Sequence, residues 1–248
     1  MTAALHCRSL SVRYGRFTAV DDFTYSFERG RFYGIIGPNG AGKTTLMNVI
    51  VGGKRPTAGS VALGGRDVTA LGVPDRARLG LGRSFQISKI FAGMTVFENL
   101  RLAAQATAFP SQPLWRAAGA YPLLAERAHA MLATIGLEPH AGAEADKLSH
   151  GDQRALELGL ALMTSPSVLL LDEPLAGVGH HALPGAIELL ERVSAGRTVL
   201  LIEHNMNAVM RLAGDVLVMA NGRLLTSGTP EEVRRNPEVR DAYLGTDA

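Results

Sequence analysis

The segment Gly37-Pro38-Asn39-Gly40-Ala41-Gly42-Lys43-Thr44 gathers glycines, a lysine and a hydroxyl directly after the apolar run 32–36. Glycines let a chain close around an anion without side chains in the way, and they accept positive φ. Successive amides can then point inward as a nest for phosphate oxygens. A helix starting near Lys43 would add its positive end. Lys43 offers a point charge to the outer phosphates. Thr44 offers a hydroxyl to magnesium, and Thr45 completes the phosphate-binding set. Placed between a strand and a helix, this is the P-loop pattern, and it implies a nucleoside triphosphate with magnesium. Lysine occurs only four times in the chain, so its presence at the one required position carries weight.

Two further groups could do chemistry. Asp172 and Glu173 close the apolar stretch 168–171. Ligands of open parallel sheets bind at strand ends of this kind. Asp172 suits a magnesium shell, and Glu173 can polarise an attacking water. In phosphoryl transfer, positioning and charge stabilisation supply most of the catalysis. The second group is Leu148-Ser149-His150-Gly151-Asp152-Gln153-Arg154, a Ser- and Gly-bearing helix start and so another anion site. Only the P-loop has the lysine and the acid pair. A nucleotide held by a different subunit accounts for the second site.

The elements that must position these residues are legible in outline. Leu10, Val12 and Tyr14 alternate onto one face of a strand. Further short strands with Gly turns run to about Leu63. Pro74 suits a helical first turn. Thr95 and Glu98 have capping-box spacing, as have Thr229 and Glu232. Residues 123–135 read as an amphipathic helix, and 155–163 as the helix after the Ser149 segment. Helix-rich sequence from 94 to 160, flanked by strand-rich sequence, predicts an inserted helical subdomain. Residues 1–93 and 161–248 then form the rest of a single α/β domain. From Val168 to Met219 strands and helices alternate as in a parallel sheet.

Composition narrows the classes. A 46% hydrophobic, 19% charged chain of 248 residues supports a substantial core. A net charge of +2 argues against nucleic acid held by bulk positive charge. Cys7 is the only cysteine, which excludes an internal disulfide or a cysteine metal cluster and suits a small buried hydrophobe. No stretch has the order of a signal peptide. No apolar run nears the roughly 18 residues needed to span a bilayer, so any role at a membrane is expected to go through a partner.

The P-loop, the 148–154 segment and the strand ending in Asp172 and Glu173 together resemble an ABC-type ATPase, the nucleotide-binding subunit of ABC transporters. Their order and spacing match over nearly the whole chain. The resemblance implies a RecA-like P-loop NTPase core, an antiparallel β-subdomain at the N-terminus and an inserted helical subdomain. It implies ATP and Mg2+ as ligands and two ATPase subunits, identical or paralogous, closing head to tail over ATP. Ser149 and Gly151 would meet the γ-phosphate of the opposite subunit. Gln86 resembles the glutamine that senses magnesium and water, and His204 the histidine that contacts the γ-phosphate. Tyr14 resembles the aromatic that stacks on adenine, while its alternation with Leu10 and Val12 gives it a core reading as well.

Within the family, the features closest to importers of branched-chain amino acids, urea and amides are the 148–154 segment, Ile202–Met206, Asn236-Pro237-Glu238 and Ala242-Tyr243-Leu244-Gly245. The implied partners are transmembrane permeases and, indirectly, a solute-binding protein. The implied location is the cytoplasmic face of the cell membrane. The stretch 87–94, with Ile90, Phe91 and Met94, is either the groove for a permease helix or packing between lobes. Three positions depart from the family pattern: His150, Asp152 and Gly179. Asp152 is expected to turn toward a ribose or solvent, because a carboxylate beside a triphosphate would repel it. The competing readings are a non-transport ABC-type ATPase, such as a metal-cluster assembly factor, and a small-molecule kinase. The kinase leaves the Ser149 segment and His204 unexplained.

Overall fold

The computed structural model describes residues 3–84, 90–108 and 121–239. Gln86, residues 87–89 of the 87–94 stretch and the tail segment 242–245 lie outside them. The chain divides into two compact units. One comprises Met1–Arg83, Ser167–Glu173 and Ser194–Ala248; the other comprises Ser84–Pro166 and Pro174–Val193.

The first unit holds two sheets. Strands β1 (Ala3–Tyr14), β2 (Phe17–Glu28), β4 (Ala58–Leu63) and β5 (Arg66–Asp67) form an antiparallel sheet in the order β2-β1-β4-β5. The other strands are β3 (Phe32–Ile36), β6 (Leu81–Arg83), β7 (Val168–Asp172), β8 (Thr198–Ile202), β9 (Asp215–Ala220) and β10 (Arg223–Gly228). They form a second sheet, β10-β9-β3-β8-β7-β6, parallel except where β10 pairs with β9. Every residue of β7 and β8 is buried. Both faces of a parallel sheet are covered, which is why these strands read as unbroken apolar runs rather than alternations. Helix α1 (Lys43–Val51), followed later in the chain by the short α2 (Val73–Arg78), packs on β2, β6 and β7. Its inward residues Leu46, Met47 and Ile50 join Phe23, Phe27 and Ile35 in one core.

Register places the site. Ile35 stands opposite Ile202, and Ile202 stands opposite Asp172. The segments after β3, β8 and β7 therefore leave the sheet side by side at one edge. The antiparallel sheet corrects the reading of Tyr14 as a core residue. Leu10 and Val12 are fully buried, but Tyr14 is 48% exposed. Register shifts between Leu10, Val12 and Arg13 break the alternation just before the hairpin. A bulge adds a residue and re-aims those beyond it.

The second unit is helical: α3 (Val96–Ala108), α4 (Pro122–Ile135), α5 (His150–Leu162) and α6 (Leu183–Ser194) belong to it almost entirely. Val96, Leu100, Leu132, Ile135 and Leu156 form its core. Gly159 lets α5 approach closely, since a Cβ there would lie 2.9 Å from Ile135 Cδ1. The Thr95 box forms in both directions, with Thr95 N–H donating to Glu98 Oε2 at 2.9 Å and Glu98 N–H to Thr95 Oγ1 at 3.1 Å. Helix α5 starts at His150, earlier than its apolar pattern indicates. Ser149 is its N-cap, accepting the Asp152 N–H at 3.2 Å.

Candidate functional site

The P-loop leaves β3 and turns sharply into α1. Gly42 has φ 96°, and a Cβ on it would lie 2.2 Å from the carbonyl oxygen of Ala19. No other residue satisfies both the left-handed backbone and that approach. Gly42 is also the N-cap of α1, with no side chain to cap it. The first amides of a helix have no partner within it. Here they follow directly on a glycine loop, which suits them to phosphate oxygens. Lys43 is only 7% exposed, and its ammonium donates to the carbonyls of Gly37 at 2.6 Å and Pro38 at 2.9 Å. Burial holds its pKa below the ordinary lysine value, against the opposing pull of Glu173 and Asp172. The loop thus holds a desolvated cation, the condition under which a charge–phosphate contact is strong. Thr44 is exposed in the first turn of α1, and Thr45 is half-buried beside it.

Asp172 ends β7 with its side chain fully buried. Oδ2 accepts from Arg83 at 2.9 Å, while Oδ1 is buried without a partner. An orphaned buried carboxylate oxygen is costly unless something else fills it. The donor set fits magnesium. Such an ion takes one or two carboxylates together with water and phosphate, so it needs no protein cage. Among the described residues no group of three or more His, Cys, Asp or Glu could provide one.

Glu173 follows at φ 51°, a left-handed conformation for a side-chain-bearing residue. Such a residue stores strain of about 1–3 kcal/mol and persists only where its surroundings enforce it. Its N–H extends the β7–β8 ladder by donating to the carbonyl of Ile202 at 2.9 Å. Glu173 Oε1 lies 3.0 Å from His204 Nε2. Against an ionised carboxylate, which only accepts, this contact requires the ring proton on Nε2. Lys43, Asp172, Glu173 and His204 are therefore gathered at one sheet edge. Tyr14 is exposed at the end of β1, and the Lys54 ammonium lies 4.5 Å from its ring centroid.

In the helical unit, Ser149 is exposed at the start of α5. Its hydroxyl donates to Asp152 Oδ2 at 2.7 Å. The Asp152 carboxylate is thus engaged by the serine three residues back, an arrangement the expectation of a ribose- or solvent-facing acid did not include. Gly151 has only Ser149 Oγ near its would-be Cβ, at 3.9 Å, so this turn is open.

Three supporting residues escaped sequence reasoning. Arg83 joins Asp172 to Asn48, donating to Asn48 Oδ1 at 2.6 Å. Glu203 is buried, and its Oε2 accepts the N–H of His204 at 3.0 Å and of Asn205 at 3.3 Å, which fixes the turn carrying His204. Asn99, fully buried, accepts the Phe91 N–H at 2.8 Å and donates to the carbonyls of Phe91, Met94 and Thr95. It shapes the turn that leaves Phe91 55% exposed. Position beside a motif was the only signal for Arg83 and Glu203, and nothing in the sequence marked Asn99.

The profile of the ABC transporter family matches residues 20–176. That of the branched-chain amino acid ATP-binding cassette transporter matches residues 223–248. The chain is 38% identical over 250 residues to the high-affinity branched-chain amino acid transport ATP-binding protein LivG of Salmonella typhimurium, with 97% of each chain covered. It is 36% identical over 251 residues to the corresponding protein BraF of Pseudomonas aeruginosa, again with 97% of each covered. Among solved structures, a nucleotide-free ATP-binding cassette from an ABC transporter superposes with a TM-score of 0.85 at 30% identity, covering 98% of this chain and 99% of that one.

Proposed function

Since this chain belongs to the ABC transporter family and is an ATPase that binds nucleotide, we infer that it powers an importer whose cargo is a branched-chain amino acid. The observation that carries the catalytic reading is the gathering of the buried Lys43, the half-orphaned Asp172 and the Glu173–His204 contact at one sheet edge. The cargo reading is supported by the relatives and by the family match of the tail.

The first-turn amides of α1 and the Lys43 ammonium bind the β- and γ-phosphates. Pro38, Asn39 and Ala41 shape the glycine loop around them, and Thr45 adds its hydroxyl. Thr44, Asp172 and Gln86 are the residues that would hold Mg2+, which when bound neutralises charge between the outer phosphates. Glu173 accepts a proton from the attacking water at its free carboxylate oxygen. His204, held by the buried Glu203 turn, orients that carboxylate and reaches toward the γ-phosphate. Tyr14 presents an exposed ring to adenine at the open edge.

Ser149 and Gly151 act on a nucleotide bound to a second ATPase subunit, identical or paralogous. Ser149 must then release Asp152 to donate to phosphate. Transmembrane permeases receive the motion, with the Asn99-shaped turn and its exposed Phe91 as the contact. No helix among the described residues is long and apolar enough to cross a membrane, so attachment goes through those permeases at the inner face. Division into a catalytic core (1–93 and 161–248) and a helical signature subdomain (94–160) suits this mechanics. The comparisons lend no support to a non-transport ATPase.

The test is reconstitution in proteoliposomes with the cognate permeases and solute-binding protein. ATP-dependent uptake of leucine, competed by isoleucine and valine but not by urea, is expected. ATP-dependent uptake of urea alone would overturn the cargo reading.

A further inference from the structure

We propose that Arg83 is a positioning residue that sets the distance between the two elements carrying the cation ligands, and so tunes metal affinity. Its guanidinium reaches both. One nitrogen donates to Asn48 Oδ1 on α1 at 2.6 Å, and another donates to Asp172 Oδ2 at the end of β7 at 2.9 Å. Asn48 lies four residues beyond Thr44, one turn along the same face of α1. Asp172 is the acid with an unpartnered buried oxygen. Arg83 is therefore a strut between the helix that bears the hydroxyl ligand and the strand that bears the carboxylate ligand.

The geometry has two consequences. Engaging Oδ2 fixes the plane of the Asp172 carboxylate and leaves Oδ1 as its one free oxygen. The planar fork of arginine can hold two acceptors at set directions, which the point charge of lysine cannot reproduce. The Arg83 side chain is only 10% exposed and that of Asp172 is fully buried, so solvent does little to screen the contact. Partners that orient metal ligands in this way are worth about 10–100-fold in metal affinity. Arg83 is the last residue of β6.

The inference rests on the reading of Asp172 as a cation ligand, and the experiment separates the two. Mn2+ is titrated into the full-length chain carrying equimolar ADP, with free Mn2+ followed by electron paramagnetic resonance. ADP affinity is measured separately in EDTA. The wild type should bind Mn2+ more tightly than free ADP does, and Asp172→Asn should lose that excess. Arg83→Met should weaken Mn2+ binding about 10–100-fold with metal-free ADP affinity unchanged, and Arg83→Lys should recover part of the loss. A purely structural role would lower both affinities together.

No excess affinity in the wild type would overturn the reading of the site itself. An excess that Asp172→Asn abolishes but Arg83→Met leaves intact would overturn the role of Arg83 alone. If Arg83→Met does not fold, Asn48→Ala decides. It frees one end of the strut and should weaken Mn2+ binding; unchanged binding there would overturn the proposal.

Discussion

Replacing Glu173 by glutamine isolates the carboxylate from everything else at the site. The side chain is 27% exposed, and its contact is His204 Nε2 at 3.0 Å. Glutamine keeps the length, the shape and an oxygen that accepts from the ring. Substitutions of this kind away from the core change stability by less than about 0.5 kcal/mol, so the fold and the φ 51° turn persist. What disappears is the ability to take a proton from water, which is worth about 100- to 10,000-fold in rate. That corresponds to about 3–5 kcal/mol on the barrier. Nucleotide affinity should not fall, because the lost negative charge would have opposed a triphosphate. Phosphate release at saturating ATP, ATP binding, and gel filtration with ATP present measure the three quantities. Expected are arrested turnover, undiminished binding and a nucleotide-trapped dimer. Turnover within threefold of wild type would remove Glu173 from catalysis, and lost ATP binding would show that the carboxylate supports the loop instead.

Lys43→Ala should weaken ATP binding about 10–100-fold, since charged hydrogen bonds are worth about 1.5–3 kcal/mol each; unchanged affinity by calorimetry would refute the placement of the phosphates. Arg76 is 1% exposed and donates to the carbonyls of Val49, Ile50, Leu71 and Thr69. Arg76→Met takes the side-chain donor from the Ile50 carbonyl, while Val49 keeps the Gly52 N–H, and should cost about 1–3 kcal/mol, read as a lower urea midpoint. The Cys7 thiol is pushed up to about 12 by burial. A raised folded pKa means that its contribution is complete below the unfolded pKa near 9 and drains away as pH rises toward 12. Stability should fall by about 1.4 kcal/mol per pH unit there, and Cys7→Ala should flatten that part of the urea-midpoint profile.

The legibility of the site followed the range of the interactions involved. The P-loop, the acid pair and both capping boxes are local, so their spacing carries their geometry. Strands β7 and β8 were legible because burial on both faces writes itself as an apolar run. Only the core alternative for Tyr14 failed, because a bulge interrupts a period that pattern reading must assume continuous. The start of α5 was misread because a serine cap, and not the apolar pattern, begins it. Arg83, Glu203 and Asn99 left little trace because their partners are backbone groups or distant side chains that no periodicity announces.

Residue order alone specifies the chemistry: a glycine loop with its lysine, two acids behind an apolar strand, a histidine behind another. Each is a short segment whose backbone needs and charge are intrinsic to it. Only the folded chain decides which of these meet. Parallel register across β3, β8 and β7 brings Lys43, Asp172, Glu173 and His204 to one edge. The pairing of β6 with β7 lets Arg83 span from Asn48 to Asp172. The reason is physical: strand order and register come from burying apolar faces across the entire sheet, a property of many distant residues at once.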